Sequence, residues 1–152
     1  MGGVLSAVEA VLNGSIGNAY CLVRPPGHHA EKDKGMGFCI FNNIAIAALH
    51  ARTIPASPKV QRVALVDYDV HHGNGTQQCF WNDPDALFIS IHQDNNYPPN
   101  EGLLTDIGLF FNNLFECGEF RMIQYVSQGG PGAEGTNINI PLPPGQVNRI
   151  PS

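Results

Sequence analysis

The chain has 152 residues, 43% hydrophobic and 14% charged, with a formal net charge of −5 and a pI near 5.6. This size and composition predict one globular domain and exclude a disordered chain. The acidic balance lacks a basic stripe, and no segment resembles a membrane span or a secretory signal, so we expect no direct contact with nucleic acid or membrane.

Cysteine usage indicates the redox environment. The four cysteines lie at positions 21, 39, 79 and 117 and form no Cys-x-x-Cys pair. This sparse pattern favours a reducing compartment. We expect Cys21, Cys39 and Cys79 to behave as small buried hydrophobic residues.

The first third of the chain alternates apolar runs with turn signals. Residues 2–12 place apolar side chains at helical spacing, and Asn13-Gly14 ends that run. Residues 20–24 predict a short buried strand, which the following prolines terminate. Residues 42–52 predict a second helix with Asn42 as its N-cap.

The remainder continues the alternation of strands and helices. Residues 62–68 predict a strand, 75–81 a short helix, 86–91 a second strand and 137–145 one more. Nearly unbroken apolar strands that alternate with helices indicate an α/β fold, with an open parallel sheet and helices on both faces. Such sheets bind their ligands beyond the carboxyl ends of the strands.

Polar side chains follow three of the predicted strands. In chain order these side chains are His28 and His29, then Asp69, His71 and His72, then Ser90 and His92. Because the carboxyl ends of parallel strands meet at one edge of a sheet, we expect the three loops to converge on one crevice.

Residues 66–75, VDYDVHHGNG, contain candidate metal ligands. Alternate side chains of an extended chain share a face, so Asp67, Asp69 and His71 are predicted to point the same way. A carboxylate and an imidazole at this spacing suit a divalent metal such as zinc, with Asp67 as a third ligand or as a partner of one. The same residues also fit a helix cap followed by a polar loop.

Residues 24–30, RPPGHHA, contain the second candidate pair. The Pro-Pro-Gly turn is rigid and would fix the two side chains that follow it. One histidine is then suited to act as a general base and the other as its electrostatic partner. When the pair is considered alone, two solvated imidazoles in a surface loop explain it better.

Four segments together resemble the zinc-dependent histone deacetylase family: RPPGHHA, GMGFCIFNNIAIAA, VDYDVHHGNGT and FISIHQDNNYPP, in this order and at these distances. The Pro-Pro-Gly turn and Asn74 are similar to class II and bacterial members. The resemblance covers residues 1–108 and resumes at about 129–145. It implies an arginase/deacetylase-like fold and zinc-dependent hydrolysis of the acetyl-lysine amide of a histone or another protein.

The resemblance also implies roles for matching residues. Asp69 and His71 match two zinc ligands. Asp67 matches the acid that forms a hydrogen bond with the first histidine, His28.

Proton transfer and substrate binding are implied in the same way. His29 matches the main general base and Asn74 its orienting partner. Gly37 and Phe38 match the narrow channel for the lysine stem, with Phe38 as one wall and Tyr97 as the opposite aromatic wall.

The family also binds potassium near the zinc. The matching groups are the side-chain oxygens of Asp67 and Ser90 and the main-chain oxygens of Asp67, Asp69, His71 and Ile91. A second potassium site would involve Phe80, Asp83 and Ala86.

Parts of the family pattern have no match in the 152 residues. These parts are the third zinc ligand, an aspartate, and the Tyr or His that stabilises the oxyanion, so we expect this chain alone to be inactive. Residues 1–145 would form a partial catalytic domain, with a non-family insertion at about 109–128 and a divergent tail at 146–152. In that insertion we expect an apolar helical face formed by Leu109, Phe110, Phe111, Leu114 and Phe115.

Two other functions fit the sequence. The first is a non-catalytic interaction or regulatory fragment that competes for partners of a complete enzyme. The second is a deacetylase of acetylated polyamines or other small amides, because the loops that set specificity have no match here. Residence in the nucleus, the cytoplasm or both is expected, since no secretory signal is apparent.

Overall fold

The computed structural model describes residues 1–55, 59–102, 111–113 and 124–145, without the side chains of 111–113 and 124–126. In this part of the chain the elements are α1 (Gly2–Leu12), α2 (Asn43–Thr53), β1 (Val63–Asp67), α3 (Asn74–Phe80), β2 (Ala86–Gln93), β3 (Phe111–Asn113), β4 (Gln124–Gln128) and β5 (Asn137–Leu142). None of the described helices is long and apolar enough to span a membrane.

The strands form one sheet in the order β1-β2-β5-β4-β3. Strands β1, β2 and β5 are parallel, whereas β4 pairs antiparallel with β5 and β3 antiparallel with β4. The register aligns Asp67, the last residue of β1, with Ser90 of β2. The predicted α/β class and open sheet are therefore confirmed, and the sheet is mostly parallel where an entirely parallel one was predicted.

The hydrophobic core lies between the sheet and the two helices α2 and α3. Leu65 of β1 and Phe88 of β2 are register partners and face these helices, and Phe80 packs against them. Burying one such Phe side chain contributes about 1.5–3 kcal/mol. Val66 and Leu87 alternate to the opposite face and are exposed, so the described helices that contact the sheet cover one face of it.

The predicted strand at residues 20–24 is wrong. These residues have no regular secondary structure, and Tyr20 and Leu22 are 85% and 86% exposed. A strand requires a neighbour that pairs with its backbone groups. In the described part of the chain β1 is hydrogen-bonded to β2 alone, and residues 20–24 do not pair with its free edge.

Two further predictions need correction. Cys21 is exposed and Cys79 is half-buried, while Cys39 is buried as expected. The predicted helical face of the insertion is wrong at Phe111, whose backbone lies in β3. The other members of that face (109, 110, 114 and 115) lie outside the described residues, as does the tail at 146–152.

The start of α2 is tied to the loop that carries the histidine pair. The Asn42 side chain accepts a hydrogen bond from Ala45 N at 3.0 Å, which caps the helix as predicted. Its Nδ2 donates to Ala30 O at 3.2 Å and to Thr76 Oγ1 at 3.1 Å. One buried amide therefore links the 24–30 loop, α2 and α3.

We expect Asn42→Ala to lower the free energy of unfolding by about 2–3 kcal/mol, because it removes a helix cap and leaves buried polar groups unpaired. Urea unfolding followed by circular dichroism measures this change. Asn13→Ala is the matched control, since Asn13 forms its hydrogen bonds on the surface beyond α1; its expected effect is below about 0.5 kcal/mol. Equal losses in the two variants would contradict the linking role of Asn42.

Candidate active site

The candidate site lies at the carboxyl end of β1. Asp67 ends the strand, and the 24–30 loop passes beside it. The loop after β1 contains Asp69 and His71 and leads into α3, which begins at Asn74. The sheet therefore brings together the polar residues of the first two predicted clusters.

His28 forms a partly buried pair with Asp67. Its Nδ1–H donates to Asp67 Oδ2 at 2.8 Å. Burial by itself lowers the pKa of His28, but the hydrogen bond and charge of Asp67, with a contribution from Asp69, raise that pKa above its usual value. Gly73 makes this approach possible, because a Cβ at that position would overlap the Asp67 carboxylate.

His29 forms a second pair, with Asn74, and this pair is buried. His29 Nδ1 lies 2.8 Å from Asn74 Oδ1, and the two residues are 3% and 4% exposed. Burial lowers the pKa of His29 despite this hydrogen bond, so the imidazole is neutral at pH 7. Gly37 has a φ of 54° and contacts the His29 ring so closely that any Cβ would overlap it.

Asp69 and His71 form the candidate metal centre. Asp69 Oδ1 and His71 Nδ1 are 3.1 Å apart, and the two side chains are 50% and 40% exposed. Ligand atoms about 2.0–2.1 Å from one tetrahedral zinc ion lie roughly 3.3 Å apart, so the pair fits zinc. Within the described residues no group of three His, Cys, Asp or Glu side chains converges on a metal position.

The structure changes the predicted geometry of this segment. The strand ends at Asp67, and the backbone N–H groups of Asp69 and His71 each donate to the carboxylate two residues earlier, at 3.1 and 2.8 Å. The segment is therefore a succession of turns and not an extended chain. Both carboxylates nevertheless face His28, with Asp67 Oδ2 2.8 Å from its Nδ1 and Asp69 Oδ1 4.0 Å from its Nε2. Asp69 also contacts His71, so the side chains converge although local side-chain-to-backbone bonds have replaced the strand geometry.

The two predicted aromatic walls differ in their surroundings. Tyr97 lies edge-on to the rings of His29 and His71, with centroid distances of 4.9 and 5.8 Å. Phe38 is 94% exposed and has a φ of 64°. Tyr97 is therefore part of the histidine cluster, while the Phe38 side chain projects from the surface beside Gly37.

The first set of predicted potassium ligands includes Ser90 and Ile91 of β2, and Ser90 contacts the buried side chains of His72 and His92. Ser90 is fully buried, and its Oγ lies 3.1 Å from His72 Nδ1 and 2.9 Å from His92 Nδ1. Ile91 is the next residue of β2. The second predicted set forms the turn from α3 to β2, where Asp83 N donates to Phe80 O, Ala86 N donates to Asp83 O, and Asp83 also pairs with Arg52.

Three polar residues beside the site received no role from the sequence. His72 and His92 flank Ser90, and burial, followed by the neighbouring histidines, lowers the pKa of His72 to about 3. Glu31 accepts a hydrogen bond from Asn74. His72 could have been recognised from the sequence because it follows His71 directly. No sequence spacing links Glu31 to Asn74.

Comparison with known proteins extends over most of the chain. The histone deacetylase domain family model matches residues 1–149. Histone deacetylase HDA1 of Candida albicans is 43% identical over 144 residues, which is 92% of this chain and 15% of that protein. The histone deacetylase-like amidohydrolase of Pseudomonas aeruginosa is 44% identical over 141 residues, which is 93% of this chain and 31% of that protein.

Solved structures agree with the fold. The crystal structure of the HDA15 HD domain superposes with a TM-score of 0.69 at 34% identity, over 91% of this chain and 33% of that one. Acetylpolyamine aminohydrolase from Burkholderia pseudomallei also gives a TM-score of 0.69, at 37% identity, over 92% of this chain and 34% of that one. The chain thus spans between 15% and 34% of the length of the relatives named here. With the family model matched from residue 1 to residue 149, the chain belongs to the histone deacetylase family.

Proposed function

We propose that this chain carries part of the active site of a zinc-dependent amide hydrolase whose substrate is acetyl-lysine on a histone or another protein. The observation that supports it is the pairing of His28 with Asp67 and of His29 with Asn74 next to Asp69. Such a substrate implies residence in the nucleus or the cytoplasm. We also propose that the 152 residues alone are inactive.

Asp69 and His71 would hold the zinc ion. Bound zinc supplies a Lewis acid that polarises the acetyl carbonyl and acidifies the attacking water. Catalytic zinc usually has three protein ligands and one open position. Two donors that are half exposed to solvent hold a cation weakly, so a third ligand from outside the described residues is required for activity.

His29 is the proposed general base. Its lowered pKa keeps the imidazole neutral and able to accept a proton from the attacking water. The same nitrogen can then return a proton to the leaving lysine amine. Asp67 holds His28 in place and raises its pKa, so His28 is protonated more readily than His29 and would act as the electrostatic partner.

Gly37, Phe38 and Tyr97 are proposed to guide the acetyl-lysine side chain. An aliphatic stem buries its methylenes against aromatic surface and keeps its polar end at the reaction centre. Tyr97 is suited to this role because it contacts the His29 ring. A potassium ion bound by Asp67, Ser90 and the main-chain oxygen of Ile91, together with those of Asp69 and His71, would add positive charge beneath the site.

A second candidate substrate is an acetylated polyamine or another small acetylated amine. The supporting observation is the similarity to acetylpolyamine aminohydrolase from Burkholderia pseudomallei. A complete enzyme that contains this segment would separate the two substrates by its kcat/KM for an acetyl-lysine peptide and for acetylated spermidine. A non-catalytic interaction fragment is the remaining alternative, and it would bind its partner even with Asp69→Ala and His29→Ala.

The proposed domain extends from residue 1 to residue 145, with an insertion at about 109–128 and a divergent tail at 146–152. Both departures would arise if intron-derived sequence were retained. Alignment of transcript reads to the gene tests this. Continuous reads across both junctions in abundant mature message would instead indicate a genuine isoform.

The first prediction from this proposal concerns activity. The purified 152-residue chain with added zinc is expected to release no acetate from an acetyl-lysine peptide above the rate of its His29→Ala variant, because two ligands and no oxyanion donor leave the site incomplete. A coupled acetate assay measures the rate. Zinc-dependent turnover that a chelator and His29→Ala both abolish would overturn the proposed inactivity while supporting the proposed chemistry.

The second prediction concerns metal affinity. Zinc should bind the chain weakly, and Asp69→Ala should reduce the affinity further by more than about tenfold, because one of the two donors is lost. Competition with a chromophoric chelator measures both dissociation constants. Asp33→Ala is the matched control, since Asp33 is an exposed acid in the 31–35 turn, outside the candidate centre. Equal affinities for the Asp69→Ala variant and the unmodified chain would place the zinc elsewhere.

A further inference from the structure

A carboxylate outside the predicted site contacts the buried His29–Asn74 pair. Asn74 Nδ2 donates to Glu31 Oε1 at 3.0 Å, and it also lies 3.4 Å from the thioether sulfur of Met36. Carboxylate and thioether groups accept hydrogen bonds and cannot donate them. The NH₂ group of Asn74 must therefore point at Glu31 and Met36.

This orientation fixes the other end of the amide. With its NH₂ directed at Glu31, Asn74 presents Oδ1 to His29 Nδ1 at 2.8 Å. An amide oxygen can only accept, so the hydrogen must reside on His29 Nδ1. The Nε2 atom of the neutral ring then carries the lone pair, which is the form that a general base requires.

Glu31 is itself held by the helix that presents Asn74. Gln78 Nε2 donates to Glu31 Oε2 at 3.3 Å, and Gln78 Oε1 accepts from Lys32 N at 2.9 Å. Asn74 and Gln78 are four residues apart on α3 and so lie on one face. The two oxygens of Glu31 thus accept from two amides of a single helix face.

We propose that Glu31 is a positioning residue that selects the tautomer of His29 by orienting the Asn74 amide. The inference deepens the proposed function, because it rests on His29 as the general base. An asparagine can present either its oxygen or its nitrogen to an imidazole, and the choice determines which ring nitrogen is protonated. Glu31 removes this ambiguity without touching the ring.

Imidazole ¹⁵N NMR of the histidine-labelled 152-residue chain tests the proposal, with the His29 signals identified by their loss in His29→Ala. In the unmodified chain the Nδ1–H tautomer should dominate. In Glu31→Ala the Asn74 amide is free to turn and donate to His29 Nδ1, so the ratio of the two tautomers should change by at least about tenfold. Unchanged His29 nitrogen shifts in Glu31→Ala would overturn the proposal.

Two controls separate tautomer selection from loosening of the loop. Gln78→Ala removes the other hydrogen-bond donor to Glu31 and keeps its contact with Asn74, so the His29 signals should not change. In an Asn74→Asp background the residue has no NH₂ to turn towards the ring, so Glu31→Ala should leave Nδ1–H the dominant tautomer of His29 there. A tautomer change of equal size in Gln78→Ala, or in the Asp background, would refute the role of Glu31.

Two further comparisons distinguish the role of Glu31 from a folding defect and from a failure of the proposed function. Should Glu31→Ala lose the dispersed amide spectrum of the folded chain, Glu31→Leu replaces it, because leucine fills the space but offers Asn74 no acceptor. The same change in the tautomer ratio is then expected, and an unchanged ratio would refute the proposal. The tautomer is measured without turnover, so it tests the role of Glu31 independently of activity. If the tautomer is as expected but a complete enzyme that contains this segment stays active after His29→Ala, the proposed function is contradicted and the role of Glu31 is not.

Discussion

The candidate site depends on the carboxylate of Asp67. One of its oxygens accepts from His28 of the 24–30 loop and the other accepts from the backbone N–H of Asp69. The carboxylate also abuts Gly73, which immediately precedes α3. Because parallel pairing with β2 fixes the end of β1, this one group ties the loop before the strand and the loop after it to the sheet. Burying such a charge is costly unless hydrogen-bond donors satisfy it, and here two donors, His28 and the backbone N–H of Asp69, belong to the candidate site.

The two halves of the site are held by different physical means. His29 and Asn74 are buried, and the Asn42 network fastens their loop and helix to the core. Asp69 and His71 are half exposed and are held mainly by hydrogen bonds within their own turn. The proton-transfer half is therefore preorganised by the fold. Asp69 and His71 have a spacing that fits zinc but are little buried, so their affinity for zinc depends on additional ligands.

Features that depend on residues close in sequence could be predicted, whereas features that depend on contacts between distant residues could not. The strand ending at Asp67 and the helix capped by Asn42 follow from local apolar runs and a local cap, and the structure contains both. Residues 20–24 carry an equally apolar run, but a strand also needs a partner, which apolar patterning does not reveal. Asp67 and Ser90 were named from the ends of predicted strands that the structure contains, whereas His28 and His29 follow no strand and reach Asp67 through a contact between distant residues. The extended geometry assumed for residues 67–71 failed because aspartate side chains bind the backbone two residues on.

Glu31 illustrates the class of residue that sequence patterns miss. It contacts Asn74, 43 positions away, and its effect on His29 passes through an amide whose two ends are nearly equal in shape. A carboxylate at position 74 would accept from the imidazole in either orientation and would need no such neighbour. An asparagine does need one, because its rotation exchanges an acceptor for a donor. The physical requirement is thus for an acceptor on the far side of Asn74, and residues 31 and 74 should depend on each other more than either depends on the metal centre.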